Sequence, residues 1–308
     1  MAAERLDLHP GLVVASYGRH FLVETPEGKR LTCHPRGKKS QAVVGDHVLW
    51  QGTHDEGTIE KVLERRNLFY RQDEIRTKSF AANLDLVLIL VAADPEFSEK
   101  QLARALIATE AEKIRPLVAL NKSDLVEPFE KAWKRLLPYQ RMGYGVLPLC
   151  LRLSKDVDRA ELLKHLHGKT TLVLGPSGAG KSTLINLLVP GALVVTGEVS
   201  QALNSGKHTT TSTTLYWVDA ERTTALIDSP GFQEFGLNHI EPTQLAACMP
   251  DLKPHIGNCK FYNCTHLHEP GCAVLGAIDS PASDHPVTSR RHQIYRELFA
   301  ELSQPERY

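Results

Sequence analysis

Residues 170–188 read TTLVLGPSGAGKSTLINLL: an apolar run, a glycine-rich loop, then Lys-Ser-Thr opening a helix-forming stretch. Glycines at positions 175, 178 and 180 let the backbone curl around phosphate oxygens and aim successive N–H groups inward. A helix beginning near Lys181 adds its positive end. Gly175, Pro176, Ser177, Gly178, Ala179, Gly180, Lys181, Ser182 and Thr183 are therefore read as a phosphate loop. Lys181 is expected to reach the β and γ phosphates and Ser182 to ligate Mg²⁺. A β-rich run before the loop and a helical run after it separate this pattern from a chance glycine turn. ATP-driven transporters, small kinases and GTPases share such loops, so the base must be decided elsewhere.

Working outward, the chain of 308 residues is long for one domain and predicts two or three modules. Lys plus Arg and Asp plus Glu number 36 each, which excludes a global charge pull toward nucleic acid or membrane. The first ten residues, MAAERLDLHP, lack a signal-peptide core, and no apolar run is long enough to span a bilayer. A cytoplasmic protein with no membrane contact is expected. Its six cysteines then suggest metal ligands or free thiols before disulfides.

Three textures divide the chain. From Gly11 to about Asp73, short alternating stretches broken by Gly-containing turns predict an OB-like β-barrel of about five strands. From about Asn83, buried apolar runs alternate with helical stretches, among them LDLVLILVAAD, EKQLARALIATEAEK, RPLVALNKSD and a helix around Phe129–Leu137. That alternation predicts a parallel sheet covered on both faces. After Gly236 the chain turns irregular and rich in Cys and His, ending in a helix over Ser289–Leu302. The expected division is 1–73, 74–236 and 237–308.

The base is addressed by Asn121, Lys122, Ser123 and Asp124, the NKSD that ends the apolar strand RPLVAL. A carboxylate there accepts both the ring N–H and the exocyclic NH₂ of guanine, a donor pair that adenine lacks. Asn121 and Lys122 would brace the base and the neighbouring loop. A further strand, TTALID, ends in Asp228 and leads into Ser-Pro-Gly. Asp228 would hold Mg²⁺ through water, and the Gly231 N–H would sense the γ-phosphate. Between the two lies NSGKHTTTSTTLYWV, a polar, switch-like loop in which Thr210, or its neighbour Thr211, would offer a hydroxyl to Mg²⁺.

The order of these pieces is rotated. An ordinary GTPase starts with the phosphate loop and meets its base-reading motif near the end, whereas here NKSD comes first. Circular permutation of this kind is tolerated when the old termini lie close together at the surface. It also makes the DSPG switch lead directly into the carboxyl-terminal module. That module contains CKFYNCTHLHEPGC, in which Cys259, Cys264, His266 and Cys272 make a complete tetrahedral set for one structural Zn²⁺. His268 is expected to face solvent, and Cys33, Cys150 and Cys248 to be bystanders.

The permuted order NKSD, GPSGAGKST, GKHTTT and DSPG, between a β-barrel and a Cys-x4-Cys-x-His-x5-Cys cluster, resembles the bacterial ribosome small subunit-dependent GTPases, the RsgA or YjeQ family. The likeness covers essentially the whole chain. It implies an OB-fold, a circularly permuted GTPase domain and a zinc domain that dock on the small ribosomal subunit and its rRNA. It also implies GTP hydrolysis to GDP stimulated by that subunit, and a role in its late maturation. A monomer is expected.

Three positions depart from the usual pattern. Where many GTPases buttress the guanine with small residues, this chain has Cys150 and Leu151, and that contact is left unassigned. After the DSPG glycine stands Phe232, where Ras-like enzymes carry a water-orienting Gln, so slow intrinsic hydrolysis is expected, with His208 a candidate to supply the missing element. Gly178 stands where cation-dependent GTPases carry Asn, so no monovalent-cation activation is predicted. Residues 1–73 hold 11 Lys and Arg against 10 Asp and Glu, which is no basic domain. Arg36, Lys38, Lys39, Arg290 and Arg291 are the candidate RNA-backbone contacts. Two rival classes fit less well. A transport or partner-driving ATPase would be expected to carry an LSGGQ-like signature and an apolar strand ending in Asp-Glu, neither of which the sequence has, and a passive nucleic-acid module would not need three nucleotide motifs together.

Overall fold

The computed structural model describes residues 7–18, 20–37, 42–52, 56–72, 77–192, 212–229, 232 and 236–304. His208, Thr210, Thr211, Gly231, Lys38 and Lys39 lie outside the described residues.

Five strands form the amino-terminal barrel: β1 (His9–Tyr17), β2 (His20–Glu24), β3 (Arg30–Pro35), β4 (His47–Gly52) and β5 (Glu56–Val62). They are ordered β1-β2-β3-β5-β4, and the β1–β4 pairing closes the ring. Period-2 alternation sends Val13, Phe21, Val23, Leu31, Val48 and Ile59 inward, and all are buried. Gly45 shows why the turn before β4 needs glycine. It sits at φ +91°, and a Cβ there would lie 2.3 Å from the Ala82 carbonyl oxygen.

A two-stranded hairpin, β6 (Leu68–Gln72) and β7 (Thr77–Ala82), leads on from the barrel, with Phe69 and Phe80 packed at a ring separation of 5.9 Å. The central sheet follows. Its strands are β8 (Leu86–Ala92), β9 (Arg115–Asn121), β10 (Gly145–Pro148), β11 (Thr170–Leu174), β12 (Thr213–Trp217) and β13 (Ala225–Asp228), in the order β10-β9-β8-β11-β13-β12. All the pairings are parallel except that of β12. Every residue of β8 is buried, as a central parallel strand requires. Val87, Ile89 and Val91 enter one core with α1 (Glu99–Ala111) and α2 (Val126–Arg141). Leu86, Leu88 and Leu90 enter the other with α3 (Lys155–Leu166) and α4 (Lys181–Leu188).

Helix α2 runs past the expected end at Leu137, carrying Pro138 in its last turn. Proline there forfeits one backbone donor, and its own carbonyl still accepts the Met142 N–H at 3.1 Å. The barrel and the central sheet are also continuous. β1 pairs antiparallel with β12 (Ala15↔Thr214, Ser16↔Thr213), making one sheet of eleven strands. Beside this seam the buried Glu24 carboxylate accepts the Trp217 indole N–H and the Arg30 Nε–H, each at 2.8 Å.

The carboxyl-terminal module consists of two 3-10 segments (Pro242–Cys248 and Lys253–Asn258), the cysteine-rich loop, one helical turn and the helix Ser289–Leu302. Thr288 caps that helix by accepting the Arg291 N–H at 3.2 Å. Here one expectation is corrected: Arg291 is buried rather than presented to RNA. Its guanidinium binds both oxygens of Asp251, at 2.9 and 3.0 Å. Arg290 pairs with Glu99 at 2.8 Å, tying the helix to α1. Arg36 pairs with Glu60. No helix among the described residues is long and apolar enough to cross a membrane.

Candidate nucleotide site and cysteine-histidine cluster

The carboxyl ends of five parallel strands converge on one edge of the central sheet, where open α/β folds bind ligands. β8 runs into Asp94, β9 into NKSD, β10 into Cys150, β11 into the glycine loop, and β13 ends at Asp228. Three motifs far apart in sequence are thereby brought together. Gly178 and Gly180 adopt φ +82° and +102°. A Cβ on Gly180 would lie 2.5 Å from Asn121 Nδ2, so the loop is closed to any larger residue. Asn121 Nδ2 donates to the Ala179 carbonyl at 2.9 Å, and its Oδ1 accepts the Leu151 N–H at 3.2 Å. One buried amide thus bridges the glycine loop and the segment after β10.

Lys122 holds the left-handed conformation at φ +70° and donates to the Asp94 carbonyl. Lys181, first residue of α4, is ion-paired with Asp228, whose side chain is only 2% exposed. Ser182 and Thr183 follow in the same helical turn. Thr213 and Ser229 hydroxyls lie 3.3 Å apart beside Asp228. Phe232 is buried in the core that β8 shares with α1 and α2.

Two residues carry more than the sequence suggested. Cys150 is not a bystander: its Sγ lies 3.3 Å from Asp124 Oδ1 and its N–H donates to Asp158 Oδ2 at 2.7 Å. Asp158, buried at the start of α3, was missed because a lone carboxylate in a helical stretch gives no motif. Burial pushes its carboxyl up, and the Cys150 N–H opposes the shift.

The second cluster sets Cys259, Cys264, His266 and Cys272 with their ligand atoms all within 4.8 Å of one another. Cys259 and Cys272 sulfurs are 3.9 Å apart, and each is 3.5 Å from His266 Nδ1. Tetrahedral zinc with Zn–S of about 2.3 Å requires S···S edges of about 3.8 Å, so the donor set fits that ion. Around it, His292 Nε2 lies 2.8 Å from the His266 carbonyl, and Tyr295 O–H donates to the Thr265 carbonyl at 2.6 Å. Glu269, also unforeseen, accepts the N–H groups of Thr265, Leu267 and His268 at 2.8, 3.1 and 3.2 Å. Burial acts to raise its carboxyl, but the Thr265 hydroxyl and the backbone donors outweigh it and hold it well below the usual range. His268 is exposed. Cys33 is packed in the barrel and Cys248 is partly buried.

The glycine cradle, a lysine and a buried carboxylate at its mouth, and a base-reading loop that precedes it in sequence define a circularly permuted P-loop GTPase. The RsgA GTPase family model matches residues 62–238. The small ribosomal subunit biogenesis GTPase RsgA of Variovorax paradoxus is 73% identical over 297 residues, covering 96% of this chain and 93% of that protein. Its counterpart in Paraburkholderia xenovorans is 51% identical over 299 residues, with the same coverage of 96% and 93%. Among solved structures, YjeQ from Thermotoga maritima aligns with a TM-score of 0.74 at 27% identity, over 97% of this chain and 100% of that one. YloQ, a circularly permuted GTPase, aligns with a TM-score of 0.70 at 26% identity over 100% of both chains. The chain belongs to the RsgA GTPase family and is a GTP-hydrolysing enzyme.

Proposed function

We propose that this GTPase acts on the small ribosomal subunit, which stimulates it, and uses GTP hydrolysis to GDP as a conformational switch in the subunit's late maturation. Relatives at 73% and 51% identity bear the name of a small ribosomal subunit biogenesis GTPase, which supports this partner. The observation that carries the nucleotide assignment is the meeting of NKSD, the glycine loop and Asp228 on one sheet edge. Asp124, whose Oδ1 lies 3.3 Å from Cys150 Sγ, would accept the two guanine donors. Asn121 ties the base-reading loop to the glycine loop through the Ala179 carbonyl, Lys122 would brace the base beside it, and the Ser123 N–H fixes the loop on the Leu149 carbonyl. With nucleotide bound, Lys181 would exchange its pairing with Asp228 for the β and γ phosphates, and Ser182, Thr210 and, through a water, Asp228 would hold Mg²⁺. When bound, Mg²⁺ neutralises charge on the phosphate oxygens. The Gly231 N–H senses the γ-phosphate.

Buried Phe232 cannot orient the attacking water, so intrinsic turnover is slow, and His208 or a rearrangement on the partner supplies that element. Cys259, Cys264, His266 and Cys272 hold one structural zinc, with no coordination position left for a catalytic water. The working division is a barrel at 1–73 that meets rRNA, a nucleotide domain at 74–236 and a zinc module at 237–308, in a cytoplasmic monomer. Continuity of β12 with β1 gives the switch segment a direct route to the barrel.

Steady-state hydrolysis of GTP and ATP, with and without purified small subunits, tests the proposal. Slow GTP-only turnover that rises by orders of magnitude with the subunit, and is abolished by Lys181→Ala, is expected. Turnover indifferent to the subunit refutes the ribosomal assignment, and a preference for ATP refutes the base assignment.

A further inference from the structure

The loop between the first two cysteines of the cluster, Cys259–Cys264, places two aromatic rings at the surface: Phe261 is 41% exposed and Tyr262 103%. No other large apolar side chain among the described residues exceeds 72%. Two neighbouring rings held out in water contribute little to folding and leave π surface open to a ligand. The loop is braced rather than slack. Both ends are members of the metal-ligating cluster, the Lys260 N–H donates to the Gly271 carbonyl at 3.0 Å, and the Cys264 N–H to the Phe261 carbonyl at 3.3 Å. Lys260 runs its stem over Gly271, where an added Cβ would lie 3.0 Å from Lys260 Cβ. Its ammonium stands 5.6 Å from the Phe261 ring centre.

Charge at this tip is one-sided. Residues 259–268, CKFYNCTHLH, contain no Asp or Glu. The carboxylate that follows, Glu269, is turned onto the N–H groups of Thr265, Leu267 and His268. Two flat π surfaces beside a cation, on a rigid loop, match a ligand that is itself flat on one part and anionic on the next. An unpaired nucleotide has that chemistry: its base stacks on aromatic rings and its phosphate meets an ammonium.

We propose that Lys260, Phe261 and Tyr262 form a stacking site for an unpaired RNA base, with Lys260 at the flanking phosphate. The inference rests on the ribosomal reading above for the source of the RNA, and it adds the site and its chemistry.

Affinity for purified small subunits, measured across a salt series together with chemical probing of rRNA bases, tests it. Tyr262→Ala is expected to weaken binding about tenfold or more and to unmask one or a few unpaired bases, without changing the salt slope. Tyr262→Phe keeps affinity and protection, whereas Tyr262→Leu, which has bulk but no π face, behaves as the alanine variant does. Lys260→Gln makes the salt slope shallower by about one. Zinc content and basal GTP turnover stay at wild-type levels in every variant, showing an intact fold. Unchanged affinity in Tyr262→Ala overturns the proposal. So does full affinity in Tyr262→Leu, or lost affinity with no rRNA base changing reactivity, either of which would assign the tip to a protein surface. If the wild-type chain does not bind subunits, the ribosomal reading fails separately. A single-stranded oligouridylate titration then decides the stacking site, which stands only if Tyr262→Ala weakens that binding too.

Discussion

Replacing Arg291 by Met should destabilise the protein by about 3–5 kcal/mol, because it strands a buried carboxylate. The side chains of Arg291 and Asp251 are 4% and 3% exposed, and their two hydrogen bonds are 2.9 and 3.0 Å long. An exposed pair would contribute about 0–1 kcal/mol, so burial decides the magnitude. The guanidinium also lies 5.2 Å from the Tyr139 ring centre, coupling the last helix to α2. At about 2–4 °C per kcal/mol, the midpoint in scanning calorimetry should fall by roughly 6–20 °C. The Arg291 Nη1 has no hydrogen-bond partner among the described residues, so the pair does not fully offset its own desolvation. The double variant Arg291→Met, Asp251→Leu should therefore recover most of the loss, since apolar replacements of buried pairs are often neutral. A single-variant cost below about 1 kcal/mol, or additive losses in the double variant, would refute the reasoning. Weakened RNA binding with an unchanged midpoint would do so as well, by returning Arg291 to the surface.

Asp124→Asn should weaken GTP binding by about 10–150-fold, the equivalent of 1.5–3 kcal/mol for hydrogen bonds to a charged group, with little effect on phosphate contacts; a GTP titration that matches wild type would exclude it as the base reader. If the cluster holds the proposed zinc, the wild-type chain should carry about one zinc in metal analysis and Cys272→Ala should lose it and expose the carboxyl-terminal module to protease, because so irregular a segment would fold on its metal. Burial holds the His239 imidazole below its usual 6.5, its ring 4.4 Å from that of Tyr70 and its nitrogens without partners among the described residues. The unfolded chain therefore binds the proton more tightly, and stability present above about pH 6.5 is lost as pH falls below it, by up to about 1.4 kcal/mol per unit. His239→Phe should flatten that part of the profile in urea titrations at pH 7 and pH 5.

Much of the site was readable because its chemistry is local. The glycine loop needs φ values and close approaches that only glycine supplies, and Gly178 and Gly180 take them. The ligand spacing of Cys259, Cys264, His266 and Cys272 likewise advertises a tetrahedron without help from the rest of the chain. Cys150 and Asp158 were not readable in this way. Their roles depend on β10 delivering the loop to Asp124 and α3 returning a carboxylate beneath it. Sequence charge misled at Arg291, since SRRH reads as a solvated basic run and nothing local announces Asp251 forty residues earlier.

The barrel's alternation, the strand-helix alternation after it and the spacing of the candidate ligands were legible along the chain, because periodicity, glycine placement and ligand spacing are short-range properties, whereas the β6–β7 hairpin and the antiparallel β12 were not. Packing between distant segments set the rest: β12 hydrogen-bonds to β1 and fuses barrel to sheet, Asn121 clamps Ala179, and Arg291 faces inward while Tyr262 faces out. Those outcomes depend on which surfaces remain for burial once the sheet and its helices have packed, and that competition is settled between segments distant in sequence.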